Sequence, residues 1–397
     1  MIDAFLYFAQ KIINGEEGVF FVLDRPEIKD KPIWVMGFGD KQYAKFDDEI
    51  FPKFCTIDFL GREKNIWSFE NVFSSLDETF CILDPSQKEA VVLLLKDVEK
   101  IKLKNKLKSY ASETKKSFVQ KVKHIQKFES DGNGWVTNLT QNIFGQLGET
   151  NNQNLLLLAS YFDFLQTGTR HCGGVAVTTE QKFCSFSPEV FCMQEDDKIS
   201  TYPVKGTGTK EFLTTSEKEI SELNMITDLL RNDFGQICSH VEVKRERVLT
   251  AERDFHHAHS EIEGILARAA SSSSGDVPLS WESFSKLLPA GSVSGAPKKK
   301  VVEKILKIEN FERKFYTGTF GVQFSPKFSI FNVLIRTLFL GEKHWYFPVG
   351  AGITVESDPI AEFEETLDKA KVFQQFCIKN KYKGDSSPGQ ARLGGVE

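Results

Sequence analysis

The sequence predicts an α+β fold with antiparallel strand pairing, and three observations lead there. Strand-like runs at 174–178, 182–186 and 328–340 are interleaved with helical patterns near 216–232, 296–309 and 359–378. Residues 182–193 alternate apolar with polar, turn at Glu195-Asp196-Asp197-Lys198 and return through 199–204, which is a hairpin signature. The first hundred or so residues carry short apolar segments at 18–23, 33–38 and 80–83 between charged turns, as a small mostly β region would.

The expected organisation follows from these patterns: a small mostly β region over 1–105, a main body over 106–380 and a disordered tail over 381–397. The lysine-rich run 103–127, with Tyr110, Phe118, Val122 and Ile125 at approximately helical spacing, bridges the first two. Residues 271–275 form a low-complexity serine and glycine loop, and the tail has almost no apolar content with which to offset the entropy of ordering.

Composition narrows the function classes. A chain of 397 residues buries a large core. With a net charge of -5 and a pI near 5.9 it has no global basic field to gather nucleic acid, so an anionic ligand must be held by local positive groups. The N-terminus lacks a basic segment followed by a long apolar run, and no stretch reaches the roughly 18 apolar residues of a membrane span; the expectation is a cytoplasmic protein without a membrane partner. Seven cysteines, scattered from Cys55 to Cys377 with no CxxC pair, argue against a disulfide framework or a structural zinc site.

Lys205 stands at the end of a strand-like run, directly before Gly206, Thr207 and Gly208. The glycines would let a carboxylate approach the backbone amides while a compact amine sits one residue upstream, as cation or nucleophile; a solvated loop lysine has the same local pattern. If the preceding hairpin folds about Asp197, Glu189 lies directly across from Lys205, at roughly 5 Å between Cβ atoms. Such a pair could share a proton or be a plain cross-strand ion pair. Ser216-Glu217-Lys218-Glu219 has capping-box form and opens a helix on which Glu222 points to the edge of an apolar stripe. Asp358-Pro359 opens a late helix with Glu362 and Glu365 on one face, oxygen donors that suit magnesium, although Glu365 could equally pair with Lys369 at i,i+4.

Together these pieces resemble the chorismate-utilising enzymes, the family of anthranilate synthase component I, aminodeoxychorismate synthase component I and isochorismate synthase. The matching segments run in order from NLTQ at 138–141, SPEVF at 187–191, PVKGT at 203–207 and ELNMITDLLRNDFG at 222–235 through the Phe255-His256-His257 region. They continue with PAGSVSGAPK at 289–298, YTGTFG at 316–321, IRT at 335–337, GAGI at 350–353 and SDPIAEFEETLDKA at 357–370. The resemblance covers about 110–378 and implies two packed, largely antiparallel sheets surrounded by helices, with the site between them. Lysine at 205, where anthranilate synthases have alanine, makes the chain most similar to aminodeoxychorismate synthase component I. By that resemblance Lys205 attacks chorismate at C2, Glu189 protonates the departing C4 hydroxyl, and ammonia then enters at C4 to give 4-amino-4-deoxychorismate for p-aminobenzoate and folate synthesis. It further implies magnesium on Glu222 and Glu365 with Glu362 nearby, and Arg336 on the enolpyruvyl carboxylate with help from the Gly350 and Gly352 backbone. Tyr316 and His257 would orient the substrate and Gly206 and Thr207 would line the pocket; the helix start at Lys298 would offer an anion free amides, with Lys298-Lys299-Lys300 as a solvated face the alternative.

Three departures qualify the likeness. Isochorismate synthases carry a water-activating lysine just before the NLTQ strand, where this chain has Trp135, Val136 and Thr137, so hydration at C2 is disfavoured. The family's loop ends in PR where this chain has Thr209-Lys210, which keeps the charge and loses the planar fork. None of the cysteines sits in a GxCxG nucleophile turn, so ammonia is expected from a separate glutamine amidotransferase subunit. The alternatives are anthranilate synthase component I and a catalytically silent chorismate-binding subunit.

Overall fold

Helix α1 (Ile2–Ile13) forms because Ala4, Phe5, Phe8, Ala9 and Ile12 recur on one helical face, and all are buried. It lies in the region expected to be mostly β, where the apolar run is too short to tell from a strand by pattern alone. The computed structural model describes residues 1–25, 27–76, 83–104, 109–147, 153–252, 255–267 and 278–377. Most of the expected 80–83 segment, the 271–275 loop and the 381–397 tail lie outside the described residues.

After α1 come strands β1 (Gly18–Asp24), β2 (Ile33–Tyr43), β3 (Lys53–Ile57) and β4 (Lys64–Ser74), then helix α2 (Pro85–Lys104). Strand β5 (Ser109–Ala111) and helix α3 (Lys115–Ser130) divide the single bridging helix expected over 103–127, because Thr114 caps α3 by accepting from the Ser117 amide at 3.1 Å. Strand β6 (Val136–Gln146), helix α4 (Gln153–Gln166) and strands β7 (His171–Val177), β8 (Lys182–Ser185), β9 (Val190–Glu195), β10 (Lys198–Thr201) and β11 (Val204–Gly208) follow. Helices α5 (Lys210–Thr215) and α6 (Glu217–Phe234) precede the long pair β12 (Cys238–Glu252) and β13 (Phe255–Leu266). Next are α7 (Trp281–Leu287), α8 (Gly291–Ser294), the short β14 (Gly295–Ala296) and α9 (Lys298–Ile308). The last described elements are β15 (Thr319–Ser325), β16 (Phe328–Val333), β17 (Thr337–Leu340), β18 (His344–Ile353) and α10 (Pro359–Cys377).

Every described strand pair is antiparallel, and the pairs join into one ribbon. From one end it runs β12, β13, then β10 and β11 end to end along β13, and from β10 on through β9, β16, β15, β3, β4 and β2. It continues through β1, β7, β8, β17, β18 and β6, with β5 and β14 beyond β6. The ribbon doubles back, so that Val19, Phe21 and Leu23 of β1 share a core with Phe320 and Val322 of β15 and Ile330 of β16. Phe21 and Phe183 stand edge-on to Phe320 at 5.2 and 5.1 Å between centroids. Phe20 and Val22 point the other way, into a core with Phe5, Phe8, Tyr161 and Phe164 from α1 and α4. Burial on both faces is why β1 reads as an unbroken apolar run. Ile226, Leu230, Phe234, Phe284 and Val293 of α6, α7 and α8 cover the outer face of the second layer. The expected two antiparallel layers with helices outside are present, and β1 and β3 are laid directly into them through β7 and β15.

A buried ion pair binds the layers near one end. The Arg313 and Glu309 side chains are each 2 % exposed and meet through a bidentate fork, Nε to Oε2 at 2.8 Å and Nη2 to Oε1 at 2.7 Å. The same guanidinium donates to Val293 O and Asn138 O, both at 2.7 Å, and lies over the Phe59 ring. Glu309 Oε1 also accepts from the Thr140 amide and hydroxyl. Removing one partner leaves a buried charge, so Arg313→Met should cost about 3–5 kcal/mol in urea unfolding. Arg313→Met combined with Glu309→Gln should cost less than the two single changes added together.

Glu129 of α3, buried behind β6, accepts from Thr137 Oγ1 at 2.9 Å while its Oε2 makes no hydrogen bond. Burial lifts its carboxyl to about 7 against the Thr137 bond. The folded state therefore holds a proton the unfolded chain releases near pH 4.5, and stability falls as pH rises from there to about 7. Glu129→Gln should remove that slope and stabilise the protein above neutral pH by roughly 1–3 kcal/mol, as read from melting at several pH values.

Candidate active site

The site is assembled around a turn, 186–189, that divides the strand expected over 182–193. Pro188 brings no amide to a ladder, so β8 ends before it and β9 starts after it. Each residue of the turn is held from a different direction. The Phe186 amide donates to Arg336 O at 3.0 Å, and Ser187 O accepts from the Cys172 amide at 2.7 Å. Pro188 O accepts from the Arg25 guanidinium, and Glu189 O accepts from the Val333 amide at 3.1 Å. Ser187 Oγ caps the turn by accepting from the Glu189 amide at 3.2 Å. The Glu189 side chain is 7 % exposed and hydrogen-bonded to Ser292 of α8. Burial raises its pKa, while that hydrogen bond and the charges of Lys205, Arg25 and Arg336 oppose the rise.

Lys205 reaches this acid by a route other than the one expected. The β9–β10 hairpin turns tightly on Asp196 and Asp197, with Asp196 in the left-handed region at φ 56° and Ile199 opposite Gln194. That register is one residue away from a fold about Asp197, and the ladder stops at Ser200 opposite Met193. Strand β11 leaves β9 and pairs with β13, placing Lys205 opposite Ala258 and Thr207 opposite His257 across a bulge at Gly206, φ 82°. Glu189 and Lys205 are thus neighbours in charge without being a cross-strand pair. The lysine is half-buried, and a Cβ placed on Gly352 would lie 3.7 Å from both its Nζ and Val136 Cγ2.

The remaining expected residues fall into two groups. Gly350 and Gly352 lie on β18 opposite Thr140 and Asn138 of the NLTQ strand. Arg336 sits between β16 and β17 with φ 49°, a left-handed residue that breaks the expected 328–340 strand at the pocket. His257 is half-buried on β13 opposite Thr250 as well as Thr207. Tyr316 is buried among Phe320, Tyr202 and Leu334, and burial pushes its hydroxyl pKa far up. Glu222 is half-buried beside Leu223 and Ile226 on α6, whose capping Ser216 accepts from the Glu219 amide. Glu362 is buried and accepts from Ser357 Oγ at 2.8 Å, whereas Glu365 is exposed and paired with Lys369 at 2.8 Å. Asp358 caps their helix through the Ile360 and Ala361 amides.

Lys298 lies elsewhere in purpose. Its amine donates to Asp233 Oδ2 at 2.6 Å and Leu287 O at 3.1 Å, joining α9 to α6 and α7. Burial pushes the lysine down and Asp233 up to about 6, each opposed by the other's charge. The helix α9 begins at Lys298 itself, after the β14 residues Gly295 and Ala296 pair with Thr137 and Val136. Among the described residues no group of three or more His, Cys, Asp and Glu side chains converges as a metal cage. Ser292 and Arg25 were not singled out in the sequence; the first lies inside a matched motif, and the second had no local signal.

One buried acid, Glu189, thus feels three positive side chains, Lys205, Arg25 and Arg336, drawn from distant parts of the chain. The chorismate binding enzyme family model matches residues 61–375, and the chain belongs to that family. It is 38 % identical over 200 residues to an uncharacterized PabA-like protein of Haemophilus influenzae, covering 48 % of this chain and 59 % of the relative. It is 34 % identical over 209 residues to a Schizosaccharomyces pombe protein provisionally named an aminodeoxychorismate synthase, covering 49 % and 28 %. With anthranilate synthase component 1 1 of Haloarcula marismortui it shares 28 % identity over 272 residues, 65 % of this chain and 53 % of that one. The chain spans less than two thirds of the length of these curated relatives. Its fold is that of MenF, the menaquinone-specific isochorismate synthase of Escherichia coli, with a TM-score of 0.71 at 16 % identity over 94 % of this chain and 91 % of that one. It likewise matches anthranilate synthase component I of Streptococcus pneumoniae, with a TM-score of 0.65 at 18 % identity over 90 % and 91 %.

Two glycines separate packing from chemistry. A methyl on Gly206 would lie 2.7 Å from Leu213 Cδ2 and 2.8 Å from Glu219 Oε2 at a positive φ, so Gly206→Ala should cost about 1–3 kcal/mol of stability. A methyl on Gly352 meets only ordinary contacts, so Gly352→Ala should leave stability within about 0.5 kcal/mol of wild type. The same methyl would stand 3.7 Å from the Lys205 Nζ, so it narrows the space beside that amine without disturbing the fold.

Proposed function

We propose that the chain is the chorismate-aminating component of an aminodeoxychorismate synthase, producing 4-amino-4-deoxychorismate through a covalent Lys205 adduct. The observation that carries this reading is the Lys205 amine in the same pocket as the buried Glu189 carboxyl, with the hydrocarbon of Val136 facing it across Gly352. Val136 has no proton to take or give, which disfavours activation of water at C2. Lys205, as free amine, bonds to C2; the ring double bonds shift and the C4–O bond breaks. Glu189 gives its proton to the departing oxygen, which leaves as water, and burial favours the protonated acid this step needs. Ammonia then bonds to C4, the double bonds shift back, the C2–N bond breaks, and the proton shed by the new ammonium returns to Glu189.

Arg336 would hold the enolpyruvyl carboxylate, with Gly350, Gly352 and Tyr316 shaping its berth and His257 orienting the leaving side. Glu222 and Glu365, with Glu362, would be the hard oxygen donors for magnesium, which tolerates few protein ligands when substrate and water complete its shell. Bound there, the ion would supply positive charge to the ring carboxylate. Cys55, Cys172, Cys184 and Cys192 are buried, and burial pushes Cys55 to about 12, so none of the four is poised as a glutaminase thiolate. A glutamine amidotransferase partner would therefore deliver the ammonia. No described helix is long and apolar enough to cross a membrane, and the protein would act in the cytoplasm.

The test is the product. Incubation with chorismate, magnesium and ammonium should give a product by mass spectrometry that keeps the pyruvyl group and that an aminodeoxychorismate lyase converts to p-aminobenzoate. Anthranilate formed without the lyase would instead make the chain an anthranilate synthase component I. Lys205→Ala should reduce amination by at least about a hundredfold while chorismate binding persists, and unchanged turnover would remove the covalent step.

A further inference from the structure

The turn that carries Glu189 is tied by backbone groups at Phe186, Ser187 and Glu189, but at Pro188 it is tied by a side chain. Arg25 follows directly on β1, is 6 % exposed and donates to Pro188 O through Nη1 and to Glu27 Oε1 through Nε. The other oxygen of Glu27 lies 3.7 Å from Arg170, so the orienting carboxylate is itself held from the start of β7. Arg25 faces Glu189 alongside Lys205 from β11 and Arg336 from the link between β16 and β17, while Ser292 of α8 reaches its carboxyl by a hydrogen bond. Around Arg25 itself stand Glu27, the Cys172 thiol and His259. Burial holds His259 down near about 4, and burial raises the Cys172 thiol, so both are uncharged through neutral pH. The charges that vary the field at the acid from this side are therefore Arg25 and its partner Glu27.

We propose that Arg25 is a positioning residue for the catalytic acid: it ties the Pro188 carbonyl to the end of β1 and supplies one of the positive charges facing the Glu189 carboxyl. The proposal deepens the amination reading, since it concerns the acid of that same site. A methionine in its place would remove both the tie and the charge. A glutamine at 27 would keep a hydrogen-bond acceptor for Arg25 and remove the neutralising carboxylate, leaving more net positive charge beside Glu189. A purely structural support would respond to both changes in the same direction; a group acting through its charge responds in opposite directions.

The experiment follows the Glu189 carboxyl directly, by infrared difference spectroscopy of its protonated C=O band across neutral pH, with Glu189→Gln as the blank. Arg25→Met should move the titration midpoint up by roughly half a unit to one unit, and Glu27→Gln should move it down by a similar amount. The signs of the two shifts taken together decide the matter, and if only one variant folds, a shift opposite to its expected sign overturns the proposal. A midpoint unchanged from wild type, or a shift of the same sign in both variants, would overturn the proposal. Wild-type amination of chorismate is measured in parallel. Opposite infrared shifts without any amination would leave Arg25 in its role and sink the functional reading, whereas amination with an unmoved carboxyl would do the reverse.

Discussion

The buried fork between Arg313 and Glu309 is the constraint from which the pocket takes its shape. Its two side chains come from the segment between α9 and β15, and their hydrogen bonds end on β6 at Asn138 and Thr140 and on α8 at Val293. Val293 is the neighbour of Ser292, so the bond to its carbonyl anchors the backbone beside the hydroxyl that meets Glu189. Three stretches far apart in the chain are thereby brought into one register. Such a pair offsets its desolvation only when its donors and acceptors are used, and here the guanidinium serves the carboxylate, two carbonyls and an aromatic face.

Positive charge is gathered locally in a chain that is negative overall. Lys205, Arg25 and Arg336 arrive from three different elements and converge on one acid. They do not neutralise the effect of burial on Glu189, which still holds its proton more tightly than an exposed glutamate. The balance would suit the acid of the proposed amination: enough field to attract a carboxylate ligand, and enough desolvation to keep a proton available. Arg336 contributes to that balance from a left-handed backbone position that a regular strand would not allow.

Local signals in the sequence were reliable where a single residue type settles the geometry. Ser216 and Asp358 cap their helices, and the apolar stripe with Leu223, Ile226 and Leu230 is buried, because capping and periodicity are short-range effects. The association of Glu189 with Lys205 was also legible, although the expected register was not: Asp196 takes a left-handed turn and shifts the hairpin by one residue. What remained hidden depends on contacts between distant residues. Lys298 reads as an anion site until Asp233, 65 residues away, is seen to occupy its amine. Arg25 gives no hint of a role from its neighbours, since the carbonyl it holds is 163 residues further on.

Strand β1, buried on both faces, couples the pocket to the order in which the chain is made. Its partner β7 lies some 150 residues later, and Thr56 of β3 pairs with Phe320 of β15 across a still longer stretch of chain. The inner core between the layers cannot close before β15 is made, because Phe21 and Phe183 both lack Phe320 until then. Long-range pairing of this kind slows folding and leaves apolar strands uncovered in the meantime. An early β1–β2 hairpin therefore keeps a Phe-rich surface uncovered until β7 and β15 arrive, and the tie from Arg25 to the turn that carries Glu189 forms only once that later stretch has been made.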